Sequence, residues 1–466
     1  MYRFRSVDCL LDKFHELENQ EIYFASPSEL NDPMEGLSDI YWLGDKIVWI
    51  NFFKHYLFCL NRIALLAYVQ CEKDINYSDI PIRGKLERET EFLMSSNLMD
   101  RINARFFKLK FTRKLINYLS STSIPIRRSQ LISILNICQL YALHVITSEY
   151  KTRKFIKTSL FENITSAPLF SLFTLISDFE RIEDSPDTEL VFSMLSHYFE
   201  DISTQYKSQW NDNINNHEFN NKIFLLTEFT TAYVNKLEEL IFPNWYSASF
   251  VSTCDNLSLW GHYGDGHKGV CLKFKTLNQG NNFYIDINSI QPLVDLRPMQ
   301  FYKIHYCNDL VSIDFFRSIA NSKMNKMQLL HFWYQNQQGE MSKCAEHFIN
   351  REAEYQWSTQ CQVAFLQSIT TKLKDWEYEN EYRLVLNASI VDYEQVESRK
   401  LNYNFSDLEA VIFGVRTSEK DKSRIIKIIR DKCQKEKRYD FEFYQAYYSI
   451  SSKQIALHRM HIDLHP

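Results

Sequence analysis

The chain has 466 residues, of which 45% are hydrophobic and 24% are charged, and its formal net charge at neutral pH is −5. This length predicts two to three domains, and the apolar fraction is sufficient for a sizeable core. The slightly acidic balance excludes a global attraction to nucleic acid or to an anionic membrane and leaves only a local basic patch open.

The cysteines and the N-terminus favour a cytoplasmic protein. The ten cysteines show no Cys-x-x-Cys pair and no zinc-ligand spacing, which predicts buried or free thiols in a reducing compartment. Residues 1–5 contain no apolar run, so no signal peptide is predicted. We also find no run of about eighteen consecutive apolar residues and predict no membrane span.

The chain begins with a predicted strand in which Tyr2 and Phe4 alternate with Arg3 and Arg5. Alternation places the two aromatic rings on one face and both guanidinium groups on the other, either in a site or on a solvated edge. The next predicted elements are an amphipathic helix, a strand and a turn, at residues 9–18, 21–25 and 31–33.

Residues from about 40 to 240 have a different character. Apolar residues recur there at helical spacing, and glycine is almost absent after Gly84, which predicts several helices. Basic residues cluster at 101–114 and 151–157. Such clusters are typical of solvated helix faces, and the alternative is a surface for a protein partner or a nucleic acid.

Strand character returns near residue 246, followed by a glycine-rich stretch. Residues 250–253 are predicted to end a strand and 255–263 to form a short turn or helix. Gly264, Gly266 and Gly269 then lie within six residues and predict a sharp turn. The turn is either a structural loop or a place where the backbone approaches a ligand. Residues 270–274 alternate like a half-buried strand.

The remaining strands are predicted at residues 283–287, 301–306, 376–386, 408–413 and 440–446. Residues 312–371 are predicted to be helical, and Thr417 or Ser418 to cap a helix that ends near 434. The histidines of the tail, from His458 onward, are interpreted as a polar terminus. The sequence thus predicts an α+β fold with a mixed or antiparallel sheet. Residues 1–40 and 241–466 would form its core, 41–240 a helical insertion, and 312–371 a smaller one.

Two carboxylates stand two residues apart at the start of the strand predicted from 376. If the segment is extended, Glu379, Glu381 and Arg383 share one face, with the carboxylates about 7 Å apart. One carboxylate can hold a ribose hydroxyl while the other orients an acceptor. The alternative is a charge ladder in which Arg383 pairs with the two acids.

Several short pieces, taken as a set, resemble a bacterial domain-of-unknown-function family, number 2971. They are Tyr2-Arg3-Phe4-Arg5, residues 22–26, 31–35 and 247–250, Trp260-x-x-Tyr263, residues 268–270, Lys372 with Trp376-x-x-Glu379-x-Glu381-x-Arg383, and residues 412–414. The family layout is similar to that of ADP-ribosyltransferases. Those folds carry an Arg or His on the first strand, an aromatic residue or Ser on a middle strand, and a Glu on a later strand. This chain shows no clear Ser-Thr-Ser strand.

The resemblance implies an NAD-binding, ADP-ribosyltransferase-like enzyme, with a toxin or an anti-phage effector as its expected setting. Arg3 or Arg5 would hold the ribose or the diphosphate of NAD, and Tyr263 would stack on the nicotinamide. Glu381, with Glu379, would act in catalysis. His262 is a further candidate for contact with NAD. This hypothesis requires no metal.

Two other functions remain open. A non-catalytic sensor would use the same pocket to bind a nucleotide or a phage component. A metal-assisted hydrolase would use His262, Asp265 and His267, although these residues crowd one loop without an acidic partner motif.

Overall fold

The structure is a computed structural model that describes residues 1–32, 34–69, 73–82, 96–157, 217–288, 297–319, 325–388, 391 and 393–465, with positions 197, 199–201, 204 and 208. Its contacts divide the chain into two compact units. Unit 1 comprises Met1–Leu37, Asn244–Val311 and Leu366–Pro466, and unit 2 comprises Ser38–Pro243 and Ser312–Phe365. Two boundaries between the units lie near residues 40 and 240, where the sequence predicts the ends of the helical insertion. Most of the smaller helical segment predicted at 312–371 belongs to unit 2.

Seventeen strands are found among the described residues. In chain order they are β1 Tyr2–Arg5, β2 Glu21–Tyr23, β3 Asp39–Trp42, β4 Ile126–Arg127, β5 Trp245–Val251, β6 Val270–Phe274, β7 Leu277–Gln279, β8 Asn282–Asn288, β9 Arg297–Lys303, β10 His305–Cys307, β11 Ser312–Asp314, β12 Thr371–Leu373, β13 Glu381–Asn387, β14 Lys400–Tyr403, β15 Leu408–Phe413, β16 Glu442–Ser449 and β17 Gln454–Met460.

Unit 1 is built on a twelve-stranded sheet in the order β17-β16-β15-β6-β1-β5-β13-β9-β8-β14-β2, with β7 paired to β8. β15 and β16 run parallel, whereas β1 is antiparallel to both of its neighbours. The first strand of the chain therefore lies in the middle of a sheet whose other strands, apart from β2 at its edge, come from the second half. This confirms the predicted α+β class with a mixed sheet.

The α-helices of the described residues lie mostly in unit 2. Unit 1 contains Glu16–Asn19, Leu257–His262 and Glu419–Glu436. Unit 2 contains Lys46–Tyr68, Ser96–Lys108, Lys110–Ser121, Arg128–Thr152, His217–Ile223, Phe229–Lys236, Phe315–Ser318 and Lys326–Leu329, and Arg351–Ile369 begins in unit 2 and ends in unit 1. Within residues 60–230, the only described strand is β4, which belongs to the separate sheet β11-β3-β4 of unit 2.

The helix Arg128–Thr152 is long and apolar enough to cross a membrane, with a mean hydropathy of 1.5 in its most apolar window. The sequence predicts no membrane span, because polar residues interrupt its apolar runs. In the structure, 72% of that window is buried. The helix packs on Lys46–Tyr68 and Ser96–Lys108 of the same unit, and this burial is typical of the core helix of a folded unit.

The sheet of unit 1 carries a separate apolar cluster on each face near β1. The larger cluster contains Phe250, Leu272 and Leu384, and the smaller one contains Phe4 and Trp260, whose rings meet edge to face at 4.9 Å. A sheet whose two faces both bury apolar side chains has no single polar face. This decides where the arginines of β1 point.

Local chemistry explains where several predicted elements begin and end. Ser418 caps the helix Glu419–Glu436 by accepting from the Asp421 amide, as predicted. The helix predicted at 9–18 is instead a π-helical turn, Asp8–Lys13, and a short helix from Glu16, because His15 adopts a left-handed conformation with φ 52°. The tail histidines are exposed, as a polar terminus predicts, but His458 lies in β17, a strand that the sequence did not predict.

The strand predicted from residue 376 begins five residues later. Lys374–Glu379 forms a 3₁₀ helix that ends at Asn380, whose φ of 46° is left-handed. Asparagine tolerates this conformation better than most residues, because its short side chain can bond locally. The side-chain amide of Asn380 donates a hydrogen bond to the Ser252 hydroxyl at 2.6 Å. Glu379 therefore lies on the helix and Glu381 opens β13, so the two carboxylates do not share one strand.

Candidate functional site

A cavity of about 210 Å³ opens where β1 and β5 part. The two strands pair at one position, Tyr2 with Val251, and further along the same edge β5 bonds to Ala25 through Ser247. Between these two contacts lies Ser249, which is exposed. The cavity is lined by residues of β1, of β5 and of the segment before β13.

Five of the sequence-predicted site residues line this cavity: Arg3, Arg5, Tyr263, Glu379 and Glu381. The sixth, His262, is not among the lining residues. His262 ends the helix Leu257–His262 on the exposed surface, and its Nδ1 lies 3.1 Å from the Tyr378 hydroxyl.

Alternation predicts one cleft for these residues if β1 and the strand that carries Glu381 are neighbours packed on a common core. The five residues meet for a different reason. On β1, Arg3 is opposite Leu272 and Arg5 is opposite Val270, both of which belong to the larger apolar cluster. Glu381 is opposite Val251, and Val251 is opposite Tyr2. Because directly opposed residues share a face, the arginines and Glu381 lie on opposite faces of the sheet. They meet only because the sheet opens between β1 and β5.

The premise of a common core was wrong, and so was that of neighbouring strands. Phe4 packs in the smaller cluster whereas Leu384 packs in the larger one, and β5 lies between β1 and β13.

The arginines of β1 form a partly compensated positive group. Arg5 pairs with the buried Glu16, with Nε 2.8 Å from Oε2. Arg3 is buried, donates to the Tyr23 carbonyl at 3.1 Å, and lies over the Phe250 ring. Burial first, and then repulsion from Arg5, lower the pKa of Arg3 to about 10. A bound anion would offset both effects.

Glu381 is the centre of a buried charge cluster. Its Oε1 accepts from Arg383 Nε at 2.8 Å, and its Oε2 accepts from Arg383 Nη2 and from Lys372 Nζ, both at 3.0 Å. Glu35 joins the cluster through Arg383 Nη1 at 2.6 Å and Lys372 Nζ at 3.5 Å. With Glu379, the cluster holds three carboxylates against two cations, all at most 5% exposed as side chains.

The two carboxylates of the predicted Glu-x-Glu pair titrate in opposite directions. Burial alone would raise the pKa of Glu381, but attraction and hydrogen bonding from Arg383, with attraction from Lys372, lower it to about 2. Burial raises the pKa of Glu379, and its bonds to Lys372 and Tyr263 only partly oppose this. Two acids beside the arginines of a neighbouring strand are predicted to have depressed pKa values, and this prediction is wrong for Glu379. The cations responsible at Glu381 are Arg383 and Lys372, not those of β1.

Tyr263 links the glycine-rich stretch to Glu379. It follows the helix Leu257–His262, and its hydroxyl donates to Glu379 Oε1. Lys372 Nζ lies 2.8 Å from the other oxygen of Glu379. Burial, and then the neighbouring Glu379 charge, raise the pKa of Tyr263, so it remains a neutral donor.

The glycine-rich turn is held by protein backbone. A Cβ on Gly269 would lie 2.4 Å from the Arg5 carbonyl oxygen, and a Cβ on Gly414 would lie 2.3 Å from the His267 carbonyl oxygen. A Cβ on Gly264 would likewise lie 2.8 Å from the Trp260 carbonyl oxygen, and Gly266 has a left-handed φ of 57°. These constraints explain the glycines without a ligand and favour the structural interpretation. Among the residues that the structure describes, no group of three or more His, Cys, Asp or Glu is placed to hold a metal ion.

Two indoles, Trp260 and Trp376, and the Asn31-Asp32 turn are predicted from their chemistry to support the pocket rather than to react. Trp260 is fully buried, and its indole donates to the Cys254 carbonyl at 2.7 Å. Asp32 is buried and accepts from the Met34 amide at 2.9 Å, which holds the turn before Glu35. Asn31 lines the cavity and is exposed. Trp376 is only half-buried, beneath the Lys372 ammonium at 5.0 Å. Pro33 lies outside the described residues.

Sequence reasoning did not assign roles to Glu35, Lys372 and Ser249. Glu35 and Lys372 belong to pieces that carried the family resemblance, but nothing in a single sequence indicates that they meet. Ser249 could have been found from the Ser-Ala-Ser sequence of β5. Alternation there places Ser247 and Ser249 on the face opposite the core residues Ala248 and Phe250. Ser249 also hydrogen-bonds to Glu381. It occupies the middle strand on which the resemblance requires an aromatic residue or Ser.

Residues 259–384 match the family model described as "Protein of unknown function (DUF2971)". The matched segment includes Trp260-x-x-Tyr263, residues 268–270 and the motif from Lys372 to Arg383. The other pieces of the resemblance lie outside it. Neither the search of curated proteins nor the search of solved structures found a match. The family match supports the resemblance and assigns no activity.

Proposed function

We propose that the cavity between β1 and β5 binds NAD and that the chain is an ADP-ribosyltransferase-like enzyme. The observation that carries the proposal is the separation of charge within one cavity. Arg3 and Arg5 line the β1 side, where Arg5 is paired with Glu16, and Glu379 and Glu381 line the β13 side. Glu29, which also lines the cavity, is paired with Arg399. NAD has the matching polarity, with an anionic diphosphate at one end and a cationic nicotinamide riboside at the other.

Each predicted residue has a role that its surroundings allow. Arg3 and Arg5 would hold the diphosphate through charge-assisted hydrogen bonds. The ring of Tyr263 would stack on the nicotinamide. Ionised Glu381, whose pKa is about 2, would stabilise the cationic ribose as the nicotinamide leaves. Glu379 would help to position the reacting groups next to it. An enzyme that consumes NAD in this way would serve as a toxin or an anti-phage effector.

Glu379→Gln is the most informative test, because it separates catalysis from folding. Burial raises the pKa of Glu379, so a neutral amide is tolerated there better than at Glu381. We expect the release of nicotinamide from NAD to fall by about 10²–10³-fold, as for other lost electrostatic contacts, with a near-normal melting temperature. Glu377→Gln, on the exposed side of the same helix, is the matched control. Equal release by the two variants would refute the role of Glu379.

One observation favours a second function, a sensor that binds a nucleotide without turnover. Arg383 and Lys372 already bond to both oxygens of Glu381. A carboxylate held in this way has fewer lone pairs to offer a substrate. A sensor would bind NAD or a related nucleotide in calorimetry and release no nicotinamide over many hours, whereas the enzyme would do both.

A further inference from the structure

Two segments of unit 2 concentrate positive charge. The helices Ser96–Lys108 and Lys110–Ser121 carry six basic residues and one acidic residue between them, and residues 151–157 carry four basic residues and no acidic one. Ten basic residues against one acidic residue give these segments a net charge of +9, in a chain whose formal net charge is −5. The proposed NAD site, which lies in unit 1, uses none of this charge.

On the helix Ser96–Lys108 the basic residues form one exposed stripe, made of Arg101, Arg105 and Lys108. They follow one another at spacings of four and three residues, so the stripe covers about 60° of the helix circumference at about 100° per residue. The buried side of the helix is formed by Leu98, Ile102 and Phe106. Burial of that side holds the stripe at the surface.

The helix Lys110–Ser121 carries a similar stripe, bordered by aromatic rings. Its buried residues are Thr112, Leu115, Ile116 and Leu119. Arg113, which is exposed, and Lys114, which is half-buried, lie on the opposite side. Tyr118 and Phe111 are half-buried. They stand four residues after and three residues before Lys114, which makes their side chains its neighbours on the helix. The ring of Phe111 also stacks on that of Tyr141 at 5.2 Å.

Three contacts bring these segments onto one surface. The two helices pack against each other, and Ser96–Lys108 also packs on Arg128–Thr152. Arg105 Nη1 lies 2.7 Å from Glu149 Oε1, near the end of that longer helix. One turn later, the Phe155 amide bonds to the Tyr150 carbonyl at 2.9 Å. Residues 151–157 therefore stay close to the stripe that contains Arg105.

Six basic residues of this surface form no ion pair and no side-chain hydrogen bond in the part of the chain that the structure describes. They are Arg101, Lys108, Arg113, Lys114, Lys154 and Lys157, and together they are named the basic face. In the last helix, by contrast, Lys422 pairs with Glu419 at 2.6 Å and Arg424 with Asp421 at 3.5 Å. Mixed signs are typical of a solvated helix face, whereas like charges three or four residues apart destabilise a helix. A polyanion bound to the basic face would offset this repulsion.

We propose that the basic face binds single-stranded nucleic acid. A row of phosphates matches a row of guanidinium and ammonium groups and accepts charge-assisted hydrogen bonds from them. Tyr118 and Phe111, beside Lys114, offer rings on which bases can stack. A cationic surface combined with aromatic rings is typical of proteins that bind single strands. An acidic protein or an anionic membrane matches the charge but has no bases to stack on the rings. The proposal is independent of the NAD site.

The first test measures the contribution of the phosphates. Labelled oligothymidylate and oligouridylate of about 20 nucleotides, longer than the usual site of one single-strand-binding fold, are titrated with the full chain at several salt concentrations by fluorescence anisotropy. We expect affinity to fall steeply with salt, because each phosphate contact contributes about −0.7 to the slope of log K against log salt concentration. Binding of either strand supports the proposal, and the tighter strand identifies the source as DNA or RNA. Absence of binding of both strands at about 50 mM salt overturns it.

Two triple variants locate the strand. The basic-face variant combines Arg101→Gln, Lys108→Gln and Arg113→Gln. It should bind at least about tenfold more weakly, and the magnitude of its salt slope should fall by about 2. The control removes the same charge from exposed positions of the last helix, with Lys420→Gln, Lys427→Gln and Lys435→Gln, and should match wild type in both. Equal affinity of the two variants overturns the proposal, because net charge alone would then explain binding.

The second test separates bases from charge. Tyr118→Leu removes one ring beside the basic face and should weaken binding at least about fivefold without a change in salt slope. Tyr447→Leu, at an exposed position of β16, should leave the affinity unchanged. Equal affinity of these two variants overturns the proposed contact with bases.

Competition distinguishes the other polyanions. Unlabelled oligothymidylate should displace the labelled strand at a charge concentration about tenfold lower than polyglutamate or phosphatidylglycerol vesicles, because only the oligonucleotide stacks on the rings. Equal competition by polyglutamate assigns the basic face to an acidic protein, and equal competition by the vesicles assigns it to a membrane. Either result overturns the proposal.

Discussion

Replacement of Glu381 by glutamine tests the buried charge cluster. The substitution keeps the shape of the side chain and removes the charge that faces Arg383 and Lys372. All three side chains are at most 5% exposed. Removal of one partner from a buried ion pair typically costs 3–5 kcal/mol. The pKa agrees with this range, since a shift from 4.5 to about 2 corresponds to about 3 kcal/mol at about 1.4 kcal/mol per unit.

The sign of the pH dependence follows from the direction of the shift. The folded-state pKa of Glu381 is depressed, so its contribution to stability is complete above the unfolded value of 4.5 and is lost as the pH falls toward about 2. We expect Glu381→Gln to lower the free energy of unfolding by about 3 kcal/mol at pH 7 and by about 2 kcal/mol at pH 3.5.

The assay is urea unfolding of wild type, Glu381→Gln and Glu377→Gln at both pH values. Glu377 is exposed, so its variant should stay within about 0.5 kcal/mol of wild type. A Glu381→Gln protein as stable as wild type at pH 7 would refute the assignment of Glu381 to a buried ion-pair cluster. Such a protein, if also inactive, would instead support a purely catalytic role.

Two further changes test the supports of the site. Trp376→Ala should lower the free energy of unfolding by about 1–3 kcal/mol, because Trp376 is half-buried and loss of a fully buried aromatic side chain costs about 3–5 kcal/mol. A loss above about 4 kcal/mol in urea unfolding would contradict its placement. Gly414→Ala should lower the melting temperature by several degrees, because the new Cβ would lie 2.3 Å from the His267 carbonyl oxygen. Gly261→Ala has open space in a helix and should raise the free energy of unfolding by about 0.5–1 kcal/mol. Equal melting temperatures of the two variants would exclude the close approach at Gly414.

Local patterns predicted the elements around the site better than the contacts between them. Alternation identified β1 and β6, because successive side chains of a strand point to opposite faces, and a short apolar run identified β15. The sequence around Trp376 alternates as a strand does, and this pattern predicted an extended segment from residue 376. The segment is instead a 3₁₀ helix followed by the left-handed Asn380. One residue of irregular backbone decides whether Glu379 and Glu381 share a face, and periodicity does not report it.

The charge pairing around Glu381 depended on information that a single sequence lacks. Lys372 pairs with Glu381 from nine positions away and Glu35 pairs with Arg383 from 348 positions away in the chain, and only the fold of unit 1 brings them together. The arginines of β1 lie on the face opposite Tyr2 and Phe4, as alternation predicts, but that face also covers an apolar cluster. A sequence records only that Tyr2 and Phe4 need a core.

The most direct test of the proposed site is a calorimetric titration of NAD into wild type, Ser249→Trp and Ser258→Trp. Ser249 is exposed where β1 and β5 part, so an indole there should fill the cavity without breaking an ion pair, and Ser258 is an exposed control on the following helix. We predict that wild type and Ser258→Trp bind NAD with equal affinity and that Ser249→Trp binds at least tenfold more weakly. Absence of NAD binding by wild type, or unchanged binding by Ser249→Trp, would contradict the assignment of this cavity as the NAD site.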